Sequence, residues 1–543
     1  LLLTPCSLLP VGQTPNSMLS YLFRMEKCTK LAIFILIVVA MLAIAACSQP
    51  ARSDTVVGLA QSSTVAAEIP VVANTVVPTA TITDTMLPIV VKESTATATL
   101  APPETPRPTA TVSTPTSGVQ VYSTTVTLPT YPFRDYLNEQ IDPVYNIPVY
   151  HFKRSNYNNA GPHTPVPTAY QGVVLENPYL RLTFLPELGG RLYSAVTKAT
   201  GQEIFYHNPV VKPSVYGVLQ PPDENWWLAT GGMDWAYPTQ EHGYRFGIPW
   251  RYQVEQTTEG ATIILSDTAP DRVGLEVRVS LPAHKALFTV TPRLVNNSAQ
   301  AAPIQLWVNA ALTLGAGTMS PNTRFVLPAD QIIIHSRGGS GWSLPEAKQS
   351  APWPQIGPVD LRDYNQWADY LGFFVPNQTA PFLGAYNPDT DLGVVRLAYD
   401  QPGSGKLFAF GRNFYDRSYT DNNSQYFEIW GGANAGFWSE DDISVAAGAS
   451  LTWQEQWWPV AQLGGLTWVT EAAALHLTGD TLSVLVSTPT QGRLQIRAGS
   501  QILLDEAFSA EPTTPLSWSL PATATTIEIL DQADQSLLSY QIN

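Results

Sequence analysis

The sequence predicts an all-β protein, a large antiparallel sandwich followed by a smaller one. Three observations carry this reading. Short apolar runs alternate with period two, as in YLRLTFLP (179–186), ATIILSD (261–267), GLEVRVSLP (274–282) and ALFTVTPRLVN (286–296). Successive side chains of a strand point to opposite faces, so such runs are strands with one buried face. Gly, Asn, Asp and Pro punctuate them. No amphipathic helix longer than about two turns is evident, and no short repeat suggests a propeller or solenoid.

Taken in order, the 543 residues divide by texture. Residues 1–24 precede Met25, which reads as the true start, and are expected to be an over-extended beginning. Residues 25–46 carry Lys27 and Lys30, then an uncharged run from Leu31 to Ala46. That is the layout of a secretory signal, and the run is short for a membrane span of ~20 residues. Ile44-Ala45-Ala46-Cys47 resembles the lipobox of bacterial lipoproteins. The resemblance implies lipid attachment at Cys47, a membrane anchor through that lipid, and an extracytoplasmic place in a bacterial envelope.

Residues 47–130 are rich in Thr, Ala, Val and Pro and nearly free of aromatics. Such a stretch cannot bury enough apolar surface to offset chain entropy. It is expected to be a disordered, partly extended tether. Residues 131–460 hold most of the aromatics and are expected to form the large sandwich. Residues 461–543 show several short alternating runs and predict a small Ig-like or jelly-roll sandwich. There, Trp468 and His476 are expected to be packing residues.

Composition narrows function. A net charge of −15 argues against a nucleic-acid surface, which needs clustered Lys and Arg. The three cysteines, Cys6, Cys28 and Cys47, all precede the body, which excludes a disulfide framework or a cysteine nucleophile there. Phosphate-loop, EF-hand and Gly-x-Ser-x-Gly patterns are absent, and no metal or cofactor is expected.

Three segments carry a resemblance. ENPYLRLTFLPELGGRLYSAVTKATGQEIFYHNPV (176–210) resembles the opening strands of the galactose mutarotase-like family, the aldose 1-epimerases. QEHGYRFGIPWRYQVEQTTEGATIILS (240–266) is similar to its His-Gly and Pro-Trp segment. NSQYFEIWGG with DDISVAAGASLTWQEQWWPV (423–460) is similar to its closing part. Residues 176–210 and GGMDWAYP (231–238) look closest to an uncharacterised branch found beside tetratricopeptide repeats. The resemblance implies a β-supersandwich over about residues 130–460 and a sugar pocket. It implies Glu428 as base and His242 in the pocket, with Arg191 and Asn309 as substrate contacts. Arg245 is a further candidate contact, although it follows Gly243 by two residues where the family's arginine follows by three. Asp234 and Glu241 are candidates from their own place near His242 in the sequence.

A mutarotase needs a carboxylate base and an acid that protonates the ring oxygen. The family's acid histidine follows an asparagine; here Ala310 follows Asn309, so either His207 or His242 takes the acid role or there is no mutarotation. Four readings stay open. The cleft binds carbohydrate without established catalysis; it is an epimerase using Glu428; it cleaves glycosides with Glu428 and Asp234 or Glu241; or it is a surface scaffold. Aromatic residues near the proposed site, Trp227 and Trp235 among them, suit the C–H faces of a sugar.

Overall fold

The computed structural model describes residues 81–84 and 118–543, except 144–145, 216–221, 240, 340–341, 413–419 and 543. The signal segment, Cys47 and most of the stretch read as tether lie outside the described residues.

Two large sheets form the body. The central part of the first runs Arg191–Thr197, Met233–Ala236, Trp307–Leu312, Phe427–Gly432, Gly405–Ala409, Leu371–Val375 and Gln331–Arg337, each antiparallel to its neighbour. The second runs Arg251–Gln256, Gly260–Asp267, Val273–Pro282, Phe288–Asn296, Glu455–Ala461, Leu392–Leu397 and Phe382–Asn387, with Arg324–Val326 at its end. These strands are the alternating runs of the sequence. In Val273–Pro282 every second residue from Val273 is buried while Glu276, Arg278 and Ser280 are half-exposed. The only α-helix among the described residues is six residues long, Arg154–Asn159.

The core lies between the two sheets. Met233, Trp235, Val308, Ala310, Leu407, Phe427 and Ile429 of the first sheet share one buried cluster with Ile263, Leu265, Leu275 and Val277 of the second. Each first-sheet residue alternates with one on the opposite face, and that face carries the cleft.

The expected tether boundary is corrected at one end. Gln120–Thr130 is a strand of the first sheet, paired along its whole length with Val166–Glu176. Thr81–Asp84 pairs with it in turn. Val121, Ser123 and Thr125 of QVYSTTVTLPT alternate with Tyr122, Thr124 and Val126, so Val and Thr serve a strand here.

Beyond the body, two four-stranded sheets form the small sandwich. One holds Trp468–Val469, Ala473–Thr478, Thr481–Val486 and Leu516–Ser519; the other holds Gln501–Ala510, Thr490–Ala498, Thr526–Asp531 and Ser536–Gln541. Leu475, Leu482, Leu494, Ile496, Ile527 and Ile529 fill it. It also covers the outer face of the second large sheet. There Trp458, Phe382, Val395 and Leu397 pack with Leu466, Ala474 and Leu485. Trp457 faces the main core and Trp458 this junction, and both are fully buried.

Candidate functional site

Register decides what faces the cleft. Asp234 lies opposite Asn309, Asn309 opposite Trp430, and Trp430 opposite Lys406. Ala311, Glu428 and Phe408 form the adjacent row. Directly opposed residues of an antiparallel pair project to the same side. Polar and aromatic side chains from four adjacent strands are thus gathered on one face. The cavity above them holds about 230 Å3 and is lined by Glu241, His242, His335, Ser336, Tyr370, Lys406, Phe408, Phe410, Tyr426, Glu428, Trp430 and Phe437.

Glu428 is the buried carboxylate of this cavity. The Trp430 indole N–H donates to its Oε2 at 3.0 Å, and the Asn309 amide donates to Oε1 at 3.5 Å. Burial pushes its carboxyl up to about 7, with Lys406 and these donors opposing the rise. Phe427, the preceding residue, stacks edge-on with Phe325 in the core, as strand alternation requires.

His242 is held between two indoles, with ring centroids 4.7 Å from Trp227 and 5.1 Å from Trp430. The Asn309 amide lies 3.4 Å from its Nδ1. Burial, then the charges of Lys406 and Arg191, hold its pKa well below the usual imidazole range, so the ring is neutral. The following Gly243 has φ +62°, and a Cβ there would sit 2.3 Å from the backbone of Tyr237. The loop can present His242 because the next residue has no side chain.

Arg191 and Asp234 form a buried ion pair beside these groups, Nη2 to Oδ2 at 3.2 Å. Arg191 also donates to the Gly231 carbonyl at 2.7 Å. Burial raises the Asp234 carboxyl and Arg191 opposes the rise. Glu241 lines the cavity with its Oε1 3.8 Å from His335 Nε2.

Four sequence expectations are revised. Trp235 follows Asp234 on one strand and therefore turns into the core, where its Nε1 donates to the Gly190 carbonyl at 3.0 Å. Arg245 does not line the cavity; it is buried in an ion pair with Asp267 and lies against the Tyr150 ring. Trp227 supports the His242 ring from behind and does not line the cavity. Ala310, read as the missing acid position, is on the core face opposite Ile429. The cleft position next to Asn309 is Ala311, across from Glu428, and it too is an alanine. That strand contributes no imidazole.

Two site residues with basic side chains were not anticipated. Lys406 is buried, and its Nζ sits 4.2 Å from the ring centroid of Trp430 and 4.6 Å from that of Phe437. Burial lowers its pKa to about 8 against the pull of Glu428 and Glu241. His335 also lines the cavity, and burial followed by the charge of Lys406 keeps it neutral. The alternation of GKLFAF could have flagged Lys406, since it shares a face with Phe408. His207, the other imidazole considered, stacks on Tyr193 at 4.2 Å and bonds its carbonyl, away from the cavity lining.

Elsewhere, a larger cavity of about 830 Å3 lies at the junction with the small sandwich. Trp468 packs there against Phe382 and Tyr540, and the His476 ring covers Gly465.

A two-sheet β-sandwich with a polar, aromatic-walled cleft on the far face of its larger sheet is the class this architecture defines. The chain belongs to the family described as Domain of unknown function (DUF5107), whose model matches residues 141–460. Among solved structures it is similar in fold to a TPR-domain containing protein from Parabacteroides distasonis, at 20% identity and a TM-score of 0.51, covering 64% of this chain and 56% of that one. The chain thus spans little more than half the length of that protein. It is also similar to a galactose mutarotase-like protein from Clostridium acetobutylicum (11% identity, TM-score 0.36, covering 54% of this chain and 96% of that one). A galactose mutarotase related enzyme from Lactobacillus acidophilus matches at 12% identity and a TM-score of 0.36, covering 53% of this chain and 97% of that one.

Proposed function

We propose that the cleft binds a single carbohydrate ring. One observation carries the reading: Glu428, fixed by the Trp430 N–H and the Asn309 amide, stands in a cavity walled by Phe408, Phe437, Tyr370 and Tyr426. Sugars present apolar C–H faces to aromatic rings and hydroxyls to fixed polar groups. A volume of about 230 Å3 is below the ~300–1,000 Å3 of drug-sized pockets and suits one ring better than a chain. Glu428 and Glu241 accept hydroxyl protons, and Lys406 donates.

Binding is put first because neither Asn309 nor Ala311 supplies the imidazole acid that the family's epimerase mechanism uses. It is favoured over paired-carboxylate cleavage by Asp234 because that carboxylate is tied to Arg191. Calorimetric titration of the full chain with a panel of aldoses and N-acetylated sugars tests the proposal. A saturable heat with one sugar, weakened about tenfold or more by Glu428→Gln and by His242→Ala, is expected. No heat with any sugar contradicts it.

The same reading places the domain outside a bacterial cytoplasm, attached through lipid at Cys47. The signal-like residues 25–46 support this. Incorporation of labelled palmitate, abolished by Cys47→Ala, is the expected result.

A further inference from the structure

The cleft contains an amine with an unusual set of neighbours. Among the described residues, Lys406 Nζ makes no ion pair and donates no hydrogen bond; the faces of Trp430, Phe437 and Phe408 surround it at 4.2, 4.6 and 5.6 Å. Lys406 lines the same cavity as Glu428 and lies diagonally from it, on the neighbouring strand. A lysine held in an apolar cage, next to a carboxyl group that can carry protons, is the arrangement that makes an amine a nucleophile toward carbonyl carbon.

The geometry points to covalent capture: Lys406 forms a reversible imine with the open-chain aldehyde of a reducing sugar, with Glu428 as the proton carrier. This rests on the carbohydrate reading of the cleft and adds a reaction to it. The steps balance. Glu428 takes the proton of the anomeric hydroxyl while the Lys406 ammonium gives one to the ring oxygen. The bond from C1 to the ring oxygen breaks and C1 becomes an aldehyde. Lys406 is then a neutral amine beside the carbonyl just formed. Its lone pair adds to C1, and the nitrogen passes a proton to the new alkoxide. The protonated Glu428 gives its proton to that hydroxyl, water leaves, and a protonated imine remains beside the Glu428 carboxylate. Hydrolysis reverses every step, and no oxidant or reductant is consumed.

The surroundings suit both protonation states that this needs. The titratable groups around Lys406 are Glu428 and Glu241, which favour its charge, and His242 and His335, which are neutral. Burial brings the amine to about 8 and Glu428 to about 7, so each can give and accept protons near neutrality.

Trapping tests the inference. The full chain is incubated at pH 7 with D-glucose, D-galactose, D-mannose, D-xylose and N-acetyl-D-glucosamine, each with sodium cyanoborohydride, and the lysines are mapped by peptide mass spectrometry. Exposed lysines react slowly with any reducing sugar and serve as internal controls; Lys348 is half exposed. Lys406 should acquire one reduced sugar about 10²-fold faster than Lys348, since an amine brought down to about 8 holds on the order of 10²-fold more neutral form at pH 7 than an ordinary lysine side chain of pKa ~10.4. Glu428→Gln should slow that labelling about 10²-fold without changing the rate at Lys348. Lys406→Met should leave no fast site, with every remaining lysine labelled at the Lys348 rate. Lys406 labelled no faster than Lys348, in a sample where calorimetry shows the sugar bound, overturns the imine and leaves the binding proposal standing. A protein that binds none of the sugars overturns both.

Discussion

Lys406 and Glu428 are joined through one indole. The face of Trp430 takes the Lys406 ammonium at 4.2 Å, and its N–H donates to the Glu428 carboxylate at 3.0 Å. Lys406 lies directly opposite Trp430 on the neighbouring strand, and Glu428 is two residues from Trp430 on its own. A cation, a ring and an acid are thereby fixed on rigid sheet strands, which holds them more firmly than loops would.

Stability should report the Glu428 carboxyl. Its folded pKa, about 7, lies above the ordinary value of 4.5, so the folded state holds a proton that the unfolded state releases between those values. The stabilisation is present below pH 4.5 and is lost as pH rises through 7, by on the order of 3 kcal/mol. His242 and His335 act in the opposite sense, gaining stability up to their unfolded pKa near 6.5. The difference between wild type and Glu428→Gln isolates the carboxyl. Urea unfolding at pH 5 and pH 7.5 should show the variant gaining on the wild type as pH rises. Parallel pH profiles would contradict the assignment.

Trp430→Phe separates the two roles of the indole. The aromatic face that holds Lys406 is kept and the N–H to Glu428 is lost. The Glu428 carboxyl should move further up from about 7, because a bond to its charged form has gone. Titration of carbon-13-labelled glutamate by NMR reads this directly. About 1–2 kcal/mol of stability should go with it.

The Arg191–Asp234 pair should behave as a buried unit. Arg191→Ala leaves the Asp234 carboxylate without its cation and should cost about 3–5 kcal/mol. In the double variant with Asp234→Asn, part of that loss should return. A double-mutant cycle in denaturant measures the coupling; additive effects would show that the pair is not one unit.

Gly431 backs the site strand on its core face. A Cβ there would sit 1.8 Å from Arg396 Nη2, whose guanidinium is ion-paired with the fully buried Glu455. Gly431→Ala should therefore lower stability by about 1–3 kcal/mol or more, and lower the midpoint of thermal unfolding accordingly. An unchanged midpoint would mean that the Arg396 side chain can move aside.

Much of the fold was legible because alternation is a local property. The strands around Ile263, Val277 and Val290 could be read directly, and so could the placement of Glu428 opposite in face to Phe427. The same rule shows that Asp234 and Trp235 cannot both face a cleft. Arg245 was not decidable in this way, since it lies in a loop and its partner Asp267 ends a distant strand. Lys406 escaped notice because a lone lysine in a strand normally marks a solvated face. Alternation sets it on the face of Phe408, and the sheet order, which puts Gly405–Ala409 beside Phe427–Gly432, makes that face buried. The strand at Gln120–Thr130 was hidden by its Thr- and Pro-bearing neighbours.

A structure of the protein with its best-binding sugar decides whether the cleft is a sugar site. One ring should lie in the cavity, stacked on an aromatic wall, with hydroxyls bonded to Glu428 and Lys406 and the Asn309–His242 contact retained. A sugar bound only at the junction cavity near Trp468, with the cleft unchanged, would contradict it.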